Sequence, residues 1–197
     1  RSSSHYWMLR PMRERKTMRV LIIIPAYNEE KSLKRVMEHL KAVCPQLDYL
    51  IINDGSTDRT KAICIENQYH VMHFPENQGL TKVIQTGMRY ALERDYDAAL
   101  QFDADGQHLP EYIESMVSLM EETGCDIVIA SRFKDGKMPF RLRTLGGKLI
   151  SAAIRLTTGQ SLTDPTSGMR LYGRRIIRQF ARDSSCAPEP DTIAYMV

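Results

Sequence analysis

Long hydrophobic runs are missing from the 197-residue sequence, so a membrane-spanning segment is the first feature to consider and exclude. A transmembrane helix needs about 18 or more consecutive apolar residues. No apolar run approaches that length, so we expect no part of this sequence to span a membrane.

Cysteine is scarce, and no two of the four cysteines form a CxxC pair. Structural zinc sites and redox motifs place cysteines at that spacing, so neither is predicted. We expect free thiols, as in the reducing cytoplasm, which is the predicted location of the protein. The four residues are Cys44, Cys64, Cys125 and Cys186.

The glycine-rich motifs that bind phosphate in other folds are also absent. No GxGxxG follows the first apolar run, which disfavours a dinucleotide-binding fold, and the absence of GxxxxGK[ST] excludes a P-loop. A sugar nucleotidyltransferase would open with a glycine-rich loop, where this sequence instead has Pro25-Ala-Tyr-Asn-Glu-Glu30.

A large excess of either charge is missing. Lysine and arginine total 27 and aspartate and glutamate 24, which leaves a net charge of +3. This mildly basic balance does not by itself indicate nucleic acid, and we expect no nucleic-acid partner. Hydrophobic residues at 43% and charged residues at 26% are typical of a soluble globular domain.

The two ends of the sequence differ from the rest. Residues 1–17 are rich in arginine and show no apolar periodicity, which indicates a tag remnant or a disordered basic arm rather than a secretory signal. We expect residues 18–197 to form one domain. Because the sequence stops at Val197 in mid-pattern, this domain is expected to be truncated at its C-terminus.

Short apolar runs alternate with helical stripes along the chain. The runs predict strands at 20–24, 49–52, 70–74, 98–102 and 126–130. The stripes predict helices at 29–43, 56–63, 80–92 and 110–120. This alternation predicts an α/β fold with a mostly parallel central sheet flanked by helices.

Polar clusters follow three of the predicted strands, namely Pro25–Glu30, Asn53–Asp58 and Asp103–Asp105. Ligands of open parallel sheets bind outside the carboxyl ends of the strands. We therefore expect all three clusters to lie along one edge of the sheet and to form one site.

The third cluster predicts a metal site. Alternate side chains of an extended chain point the same way, so Asp103 and Asp105 can converge on one point. Mg²⁺ and Mn²⁺ prefer carboxylate oxygens and are often completed by substrate phosphates. A solvated turn with an aspartate cap is the alternative. An EF-hand is disfavoured because His108 stands where that loop needs glycine.

The second cluster allows two interpretations. Asn53–Asp58 is typical of a tight turn followed by a helix cap. In the other interpretation, the carboxylate of Asp54 accepts a hydrogen bond from a ring N–H of a nucleobase.

Six motifs together resemble the family-2 glycosyltransferases, which have the GT-A fold. The motifs are IIIPAYNEE, INDGSTD, the turn Asn77–Gly79, DADGQH, Ser131–Phe133 and Asp164–Arg170. Their order and distances are most similar to those of polyprenyl- or dolichol-phosphate sugar transferases and related cell-surface polysaccharide enzymes. The resemblance extends from about Met18 to Arg175.

The resemblance implies a Rossmann-like nucleotide-binding half and roles for individual residues. The implied nucleotide-binding residues are Pro25, Ala26, Tyr27, Glu29, Asp54, Asn77, Gly79, Asp103 and Gln107. Asp105, with Asp103, would ligate Mg²⁺ or Mn²⁺, and Arg132 would offset the charge of the diphosphate. The implied catalytic residues are Asp103, Asp105, Arg132, Asp164, Glu189 and Asp191.

The resemblance also implies an inverting transfer from a nucleoside-diphosphate sugar to a polyprenyl phosphate or a saccharide of the cell surface or cell wall. A sugar hydroxyl needs a general base, whereas a lipid phosphate is already largely dianionic at pH 7. Glu189 and Asp191 are the candidates for the base, and an exposed acidic turn is the alternative, because Pro190 separates them.

A basic and apolar segment, residues 141–156, predicts peripheral contact with the inner face of the cell membrane. An amphipathic helix packed on the core is the alternative. A non-catalytic module that binds a nucleotide sugar or a lipid also stays open as a function.

Overall fold

A six-stranded sheet forms the centre of the fold in the computed structural model, which describes residues 17–130 and 169–182. The strands are β1 (Val20–Ala26), β2 (Asp48–Asn53), β3 (Val71–His73), β4 (Ala98–Gln101), β5 (Ile127–Ile129) and β6 (Arg170–Gly173). Their order in the sheet is β3-β2-β1-β4-β6-β5. The pairs among β1 to β4 are parallel, whereas β6 is antiparallel to β4 and β5. The predicted mixed α/β architecture with a mostly parallel sheet is confirmed.

Helices cover both faces of the sheet. They are α1 (Leu33–Val43), α2 (Thr60–Glu66), α3 (Leu80–Glu93), α4 (Ile113–Thr123), which follows a 3₁₀ turn at Pro110–Tyr112, and α5 (Arg174–Arg182). The apolar stripes of α1 and α4 pack on one face, and those of α3 and α5 pack on the other.

Strand β1 lies in the middle of the sheet because its side chains are apolar on both faces. Ile22 and Ile24 pack under α1 and α4, whereas Leu21 and Ile23 pack under α3 and α5. All four side chains are fully buried. A continuous apolar run is what a strand covered on both faces requires, so the loop after β1 emerges at the centre of one sheet edge.

The structure differs from the sequence-based prediction in two strands. Strand β4 ends at Gln101, so Asp103 and Asp105 lie in a turn rather than on an extended strand. The chain turns at Gly106, which has φ +79°. Strand β6 and helix α5 were not predicted, because a four-residue strand that begins with a charged arginine gives almost no alternating signal.

Three α-helices begin later than predicted, and for α4 a 3₁₀ turn occupies the predicted start at residues 110–112. Helix α1 begins at Leu33 rather than at residue 29, and α2 begins at Thr60 rather than at residue 56. The side chains of Asn28 and Asp58, which precede these helices, accept hydrogen bonds from backbone N–H groups of the neighbouring loop, and Asp58 also accepts one from Thr60 at the start of α2. These two loops form part of the site described next.

Candidate active site

An open cavity of about 370 Å³ lies at the edge of the sheet where β1, β2 and β4 end. The residues that line it include the following predicted site residues: Pro25, Ala26, Tyr27, Glu29, Asp54, Asn77, Gly79, Asp103 and Asp105. The three polar clusters of the sequence therefore meet in one place, as expected. Their contacts with a nucleotide stay a prediction.

Asp54 is the most buried carboxylate of the cavity, with an exposed fraction of 4%. One carboxylate oxygen accepts a hydrogen bond from the backbone N–H of Gln78 at 2.7 Å, and the other accepts one from Gly79 at 2.9 Å. Gly79 is the N-cap residue of α3 and Gln78 precedes it, so the carboxylate lies beside the N-terminus of α3, where a negative charge is favourable. Asp54 therefore caps a helix that is distant in sequence, and its predicted contact with a nucleobase stays a prediction.

The loop that carries Asp54 approaches the next loop very closely. Gly55 has φ +65°, and a Cβ atom at this position would lie 2.3 Å from the carbonyl carbon of Glu76. No side chain fits that gap, so glycine is required for Asp54 to reach the amides of α3.

Glu29 and Tyr27 come from the loop after β1. The backbone N–H of Glu29 donates to Oγ1 of Thr60 at 2.8 Å, and its carboxylate accepts a short hydrogen bond from the hydroxyl of Ser32. The ring of Tyr27 is 48% exposed at the mouth of the cavity. Tyr27 therefore keeps about half of its surface available for contact with a ligand of the cavity.

Asp103 and Asp105 lie two residues apart in the loop after β4, and both line the cavity. Asp105 is exposed, and its Oδ1 accepts a hydrogen bond from the backbone N–H of Gln107 at 2.8 Å. Asp103 is half-buried, and its Oδ1 accepts one from Nε2 of Gln101 at 3.3 Å. Gln107 thus lies beside Asp105, although it does not line the cavity. Its predicted contact with the nucleotide stays a prediction.

The charge of the cavity determines what it can hold. Its described lining contains four carboxylates and no lysine, arginine or histidine. Both oxygens of the buried Asp54 accept backbone hydrogen bonds, and Glu29 is held by Ser32, whereas the hydrogen bonds described for Asp103 and Asp105 each engage Oδ1 and leave Oδ2 for another ligand. Asp103 and Asp105 are therefore the pair that is best placed for a cation.

The two carboxylates can supply part of the coordination of a hard divalent cation, with the remaining ligands coming from outside the protein. No group of three potential metal-ligating side chains occurs within residues 17–130 and 169–182. Mg²⁺ is commonly held by one or two carboxylates, with waters and substrate phosphates completing its coordination. The residues present match that pattern.

Arg170 is a buried cation close to the aspartate pair, and no individual role was predicted for it. It is only 5% exposed, and it lies on β6 in register with Gln101 of β4. Burial raises the pKa of Tyr172, while the charge of Arg170 opposes that rise and the charge of Asp103 adds to it. Both charges therefore lie near the Tyr172 hydroxyl. Because Arg170 is the first residue of a four-residue strand, no local sequence pattern marked it as buried.

His108 is also buried rather than exposed in its loop. Its Nδ1 lies 3.9 Å from Oδ2 of Asp103, and its ring packs on Phe102 with centroids 5.8 Å apart.

Several predicted residues lie outside the described residues: Arg132, Asp164, Glu189, Asp191 and the segment 141–156. Within the described ranges, no helix is long and apolar enough to cross a membrane.

Comparison with known proteins identifies the family. The family model described as "Glycosyl transferase family 2" matches residues 21–180. The chain belongs to glycosyl transferase family 2. The predicted family is thereby confirmed, together with its glycosyltransferase class.

Similar family-2 proteins are named for polyprenyl substrates. Polyprenol monophosphomannose synthase of Mycolicibacterium smegmatis is 32% identical over 86% of this chain and 67% of its own length. Undecaprenyl-phosphate mannosyltransferase of Micrococcus luteus is 35% identical over 85% of this chain and 71% of its own. A UDP-N-acetylglucosamine–dolichyl-phosphate N-acetylglucosaminyltransferase of Methanococcus voltae is 30% identical over 81% and 71%.

Solved structures confirm the GT-A fold of this family-2 chain. Glucosyl-3-phosphoglycerate synthase of Mycobacterium tuberculosis, in complex with Mn²⁺, UDP-glucose and phosphoglyceric acid, superimposes with a TM-score of 0.62 at 21% identity. The match covers 81% of this chain and 57% of that chain. The present chain thus spans little more than half the length of this solved structure.

Proposed function

We propose that this protein transfers a sugar from a nucleoside-diphosphate donor to a polyprenyl phosphate, with a divalent cation at Asp103 and Asp105. The observation that carries the proposal is the acidity of the cavity. A diphosphate is repelled by four carboxylates unless a cation lies between them. The complexes of the synthase from Mycobacterium tuberculosis with Mn²⁺ and UDP-glucose support the same donor chemistry.

Each side of the cavity has a distinct task in this proposal. Tyr27 presents its exposed ring to the nucleobase, and Asp54 keeps the N-terminus of α3 beside it. Asp105 directs its carboxylate into the open cavity, and Asp103 is held by Gln101. A bound Mg²⁺ or Mn²⁺ would offset the negative charge of the leaving diphosphate.

The proposed acceptor is a lipid phosphate. The phosphate oxygen of the acceptor attacks the anomeric carbon while the bond to the diphosphate breaks, which inverts the configuration. Such an acceptor needs no general base, because it is largely dianionic at pH 7. The names of the relatives support a polyprenyl phosphate over a saccharide. With a saccharide acceptor, Glu189 or Asp191 would instead serve as the base.

Three further roles belong to the same proposal. Arg132 offsets the charge of the diphosphate, and Asp164 belongs to the acceptor side of the site. Residues 141–156 contact the inner face of the membrane, where a polyprenyl phosphate resides.

A thermal-shift panel tests the donor half of the proposal. UDP-, GDP- and dTDP-sugars are added to the full chain with and without Mn²⁺, and one nucleotide should raise the melting temperature only when Mn²⁺ is present. Asp105→Asn should abolish the metal-dependent part of this shift. Glu114→Gln, an exposed change on α4, is the matched control and should retain it. A shift that survives Asp105→Asn contradicts the metal role.

A transfer assay tests the acceptor half. The stabilising nucleotide sugar, carrying a radiolabel, is incubated with undecaprenyl phosphate in detergent micelles and Mn²⁺. Label should move into the lipid fraction with wild-type protein and with Glu114→Gln, but not with Asp105→Asn. Binding without transfer to lipid would support the non-catalytic alternative.

A further inference from the structure

Asn28 connects two loops of the site without lining the cavity itself. The first loop is residues 27–32, after β1, and the second loop is residues 54–59, after β2. Oδ1 of Asn28 accepts a hydrogen bond from the backbone N–H of Thr57 at 2.9 Å. In return, the backbone N–H of Asn28 donates to Oγ of Ser56 at 3.0 Å.

The connection is reciprocal along the next residues. The backbone N–H of Glu30 donates to Oδ2 of Asp58 at 3.0 Å, and the backbone N–H of Arg59 donates to Oε2 of Glu30 at 3.1 Å. Each loop thus supplies backbone donors to side-chain acceptors of the other. We call this set of hydrogen bonds, formed by Asn28, Glu30, Ser56, Thr57, Asp58 and Arg59, the loop clamp.

The backbone at Asn28 explains why the clamp controls the cavity. Asn28 has φ +56°, a left-handed conformation that glycine, asparagine and aspartate adopt at lower energetic cost than other residues. Its two neighbours, Tyr27 and Glu29, both line the cavity. The left-handed turn at Asn28 thus sets the direction of the backbone on both sides, and the clamp holds that turn in place.

We infer that Asn28 is a positioning residue, which fixes the loop that carries Tyr27 and Glu29 before a nucleotide binds. This inference rests on the proposed function, because it assumes that the ligand of the cavity is a nucleotide. A loop that is already ordered loses less conformational freedom on binding than one that must be ordered. The clamp therefore acts on affinity for the nucleotide rather than on the rate of transfer.

Three substitutions distinguish the contribution of the Asn28 side chain from that of its left-handed backbone conformation. Asn28→Gly keeps the left-handed conformation accessible but removes the acceptor oxygen. Asn28→Ala removes both, and Asn28→Asp keeps an acceptor oxygen on a residue that tolerates this conformation. Lys34→Ala, an exposed change on α1, is the control.

Calorimetric titration of the full chain with UDP, GDP and dTDP in the presence of Mn²⁺ measures the effect. The nucleotide that binds wild type most tightly is used for the variants. We expect Asn28→Gly to weaken binding about tenfold, and Asn28→Ala at least as much, while Asn28→Asp and Lys34→Ala stay within about threefold. The transfer rate at saturating donor should change less than twofold in Asn28→Gly.

Hydrogen exchange on the nucleotide-free protein provides the second measurement. The amide of Thr57 should exchange faster in Asn28→Gly than in wild type, whereas amides in β1 should not change. Wild-type affinity in Asn28→Gly, or unchanged exchange at Thr57, would overturn the inference. A wild-type protein that binds none of the three nucleotides would instead overturn the proposed function, and the exchange measurement would still decide whether the clamp exists.

Discussion

Asp54 and Asp105 line the same cavity, yet the structure predicts different consequences when each of them is replaced by asparagine. Asp54→Asn changes a carboxylate that is 4% exposed and accepts two backbone hydrogen bonds. Asp105→Asn changes an exposed carboxylate that accepts one. The first substitution should therefore affect folding, and the second should affect ligand binding.

The magnitude for Asp54→Asn follows from its two contacts. Asparagine keeps one acceptor oxygen, but its NH₂ group replaces the other oxygen and faces a backbone N–H. A hydrogen bond to a charged group contributes about 1.5–3 kcal/mol, and a buried donor without an acceptor costs about 1–3 kcal/mol. Because the loop can relax, we expect the free energy of unfolding to fall by about 3 kcal/mol.

Urea denaturation followed by circular dichroism is the assay. With a slope of about 2 kcal/mol/M, a loss of that size lowers the midpoint by roughly 1.5 M. Asp105→Asn should leave the free energy of unfolding within about 0.5 kcal/mol of wild type. If Asp54→Asn unfolded at the same urea concentration as Asp105→Asn, the capping role of Asp54 would be wrong.

Two further predictions concern the core and the clamp. A Cβ atom at Gly87 would lie 2.6–2.9 Å from side-chain atoms of the fully buried Ile23, so Gly87→Ala should lower the urea midpoint despite the better helix propensity of alanine. An unchanged or higher midpoint would refute this packing argument. Desolvation acts to raise the pKa of Asp58, but hydrogen bonds from Thr60 and Glu30 outweigh it and hold the pKa below its usual 3.8. The stability that ionised Asp58 contributes is therefore complete above pH 3.8 and is lost as the pH falls through the lowered pKa. The difference in unfolding free energy between wild type and Asp58→Asn should be constant above about pH 5 and shrink in acid, and a difference that is the same at pH 3 and pH 6 would contradict it.

The position of the site could be predicted from the sequence because it depends on local patterns. The continuous apolar run of β1 indicates a strand in the middle of a sheet, and parallel strands bring their carboxyl ends to one edge. That reasoning placed Tyr27, Asp54 and Asp105 in one cavity, where the structure also has them.

The remaining features depend on contacts between distant segments. The partners of Asp54 lie 24 and 25 residues further along the chain. Sequence spacing placed Asp54 in a turn before α2, and it could not indicate that the carboxylate holds the start of α3. Strand β6 pairs with β4 across a long stretch of sequence, and no local period marks it. Arg170 is recognisable as a buried charge only once that pairing is known.

The antiparallel direction of β6 has a consequence for where the sequence between β5 and β6 joins the sheet. Because β5 and β6 are neighbours of opposite direction, the chain leaves the sheet at Ala130 and re-enters it at Met169, and the backbone N–H of Ala130 donates to the carbonyl of Met169 at 3.1 Å. Both points lie on the edge that carries the aspartate pair. The sequence between the two strands can therefore change in length or composition without altering the strand pairing on either side, which leaves the edge with Asp103 and Asp105 intact.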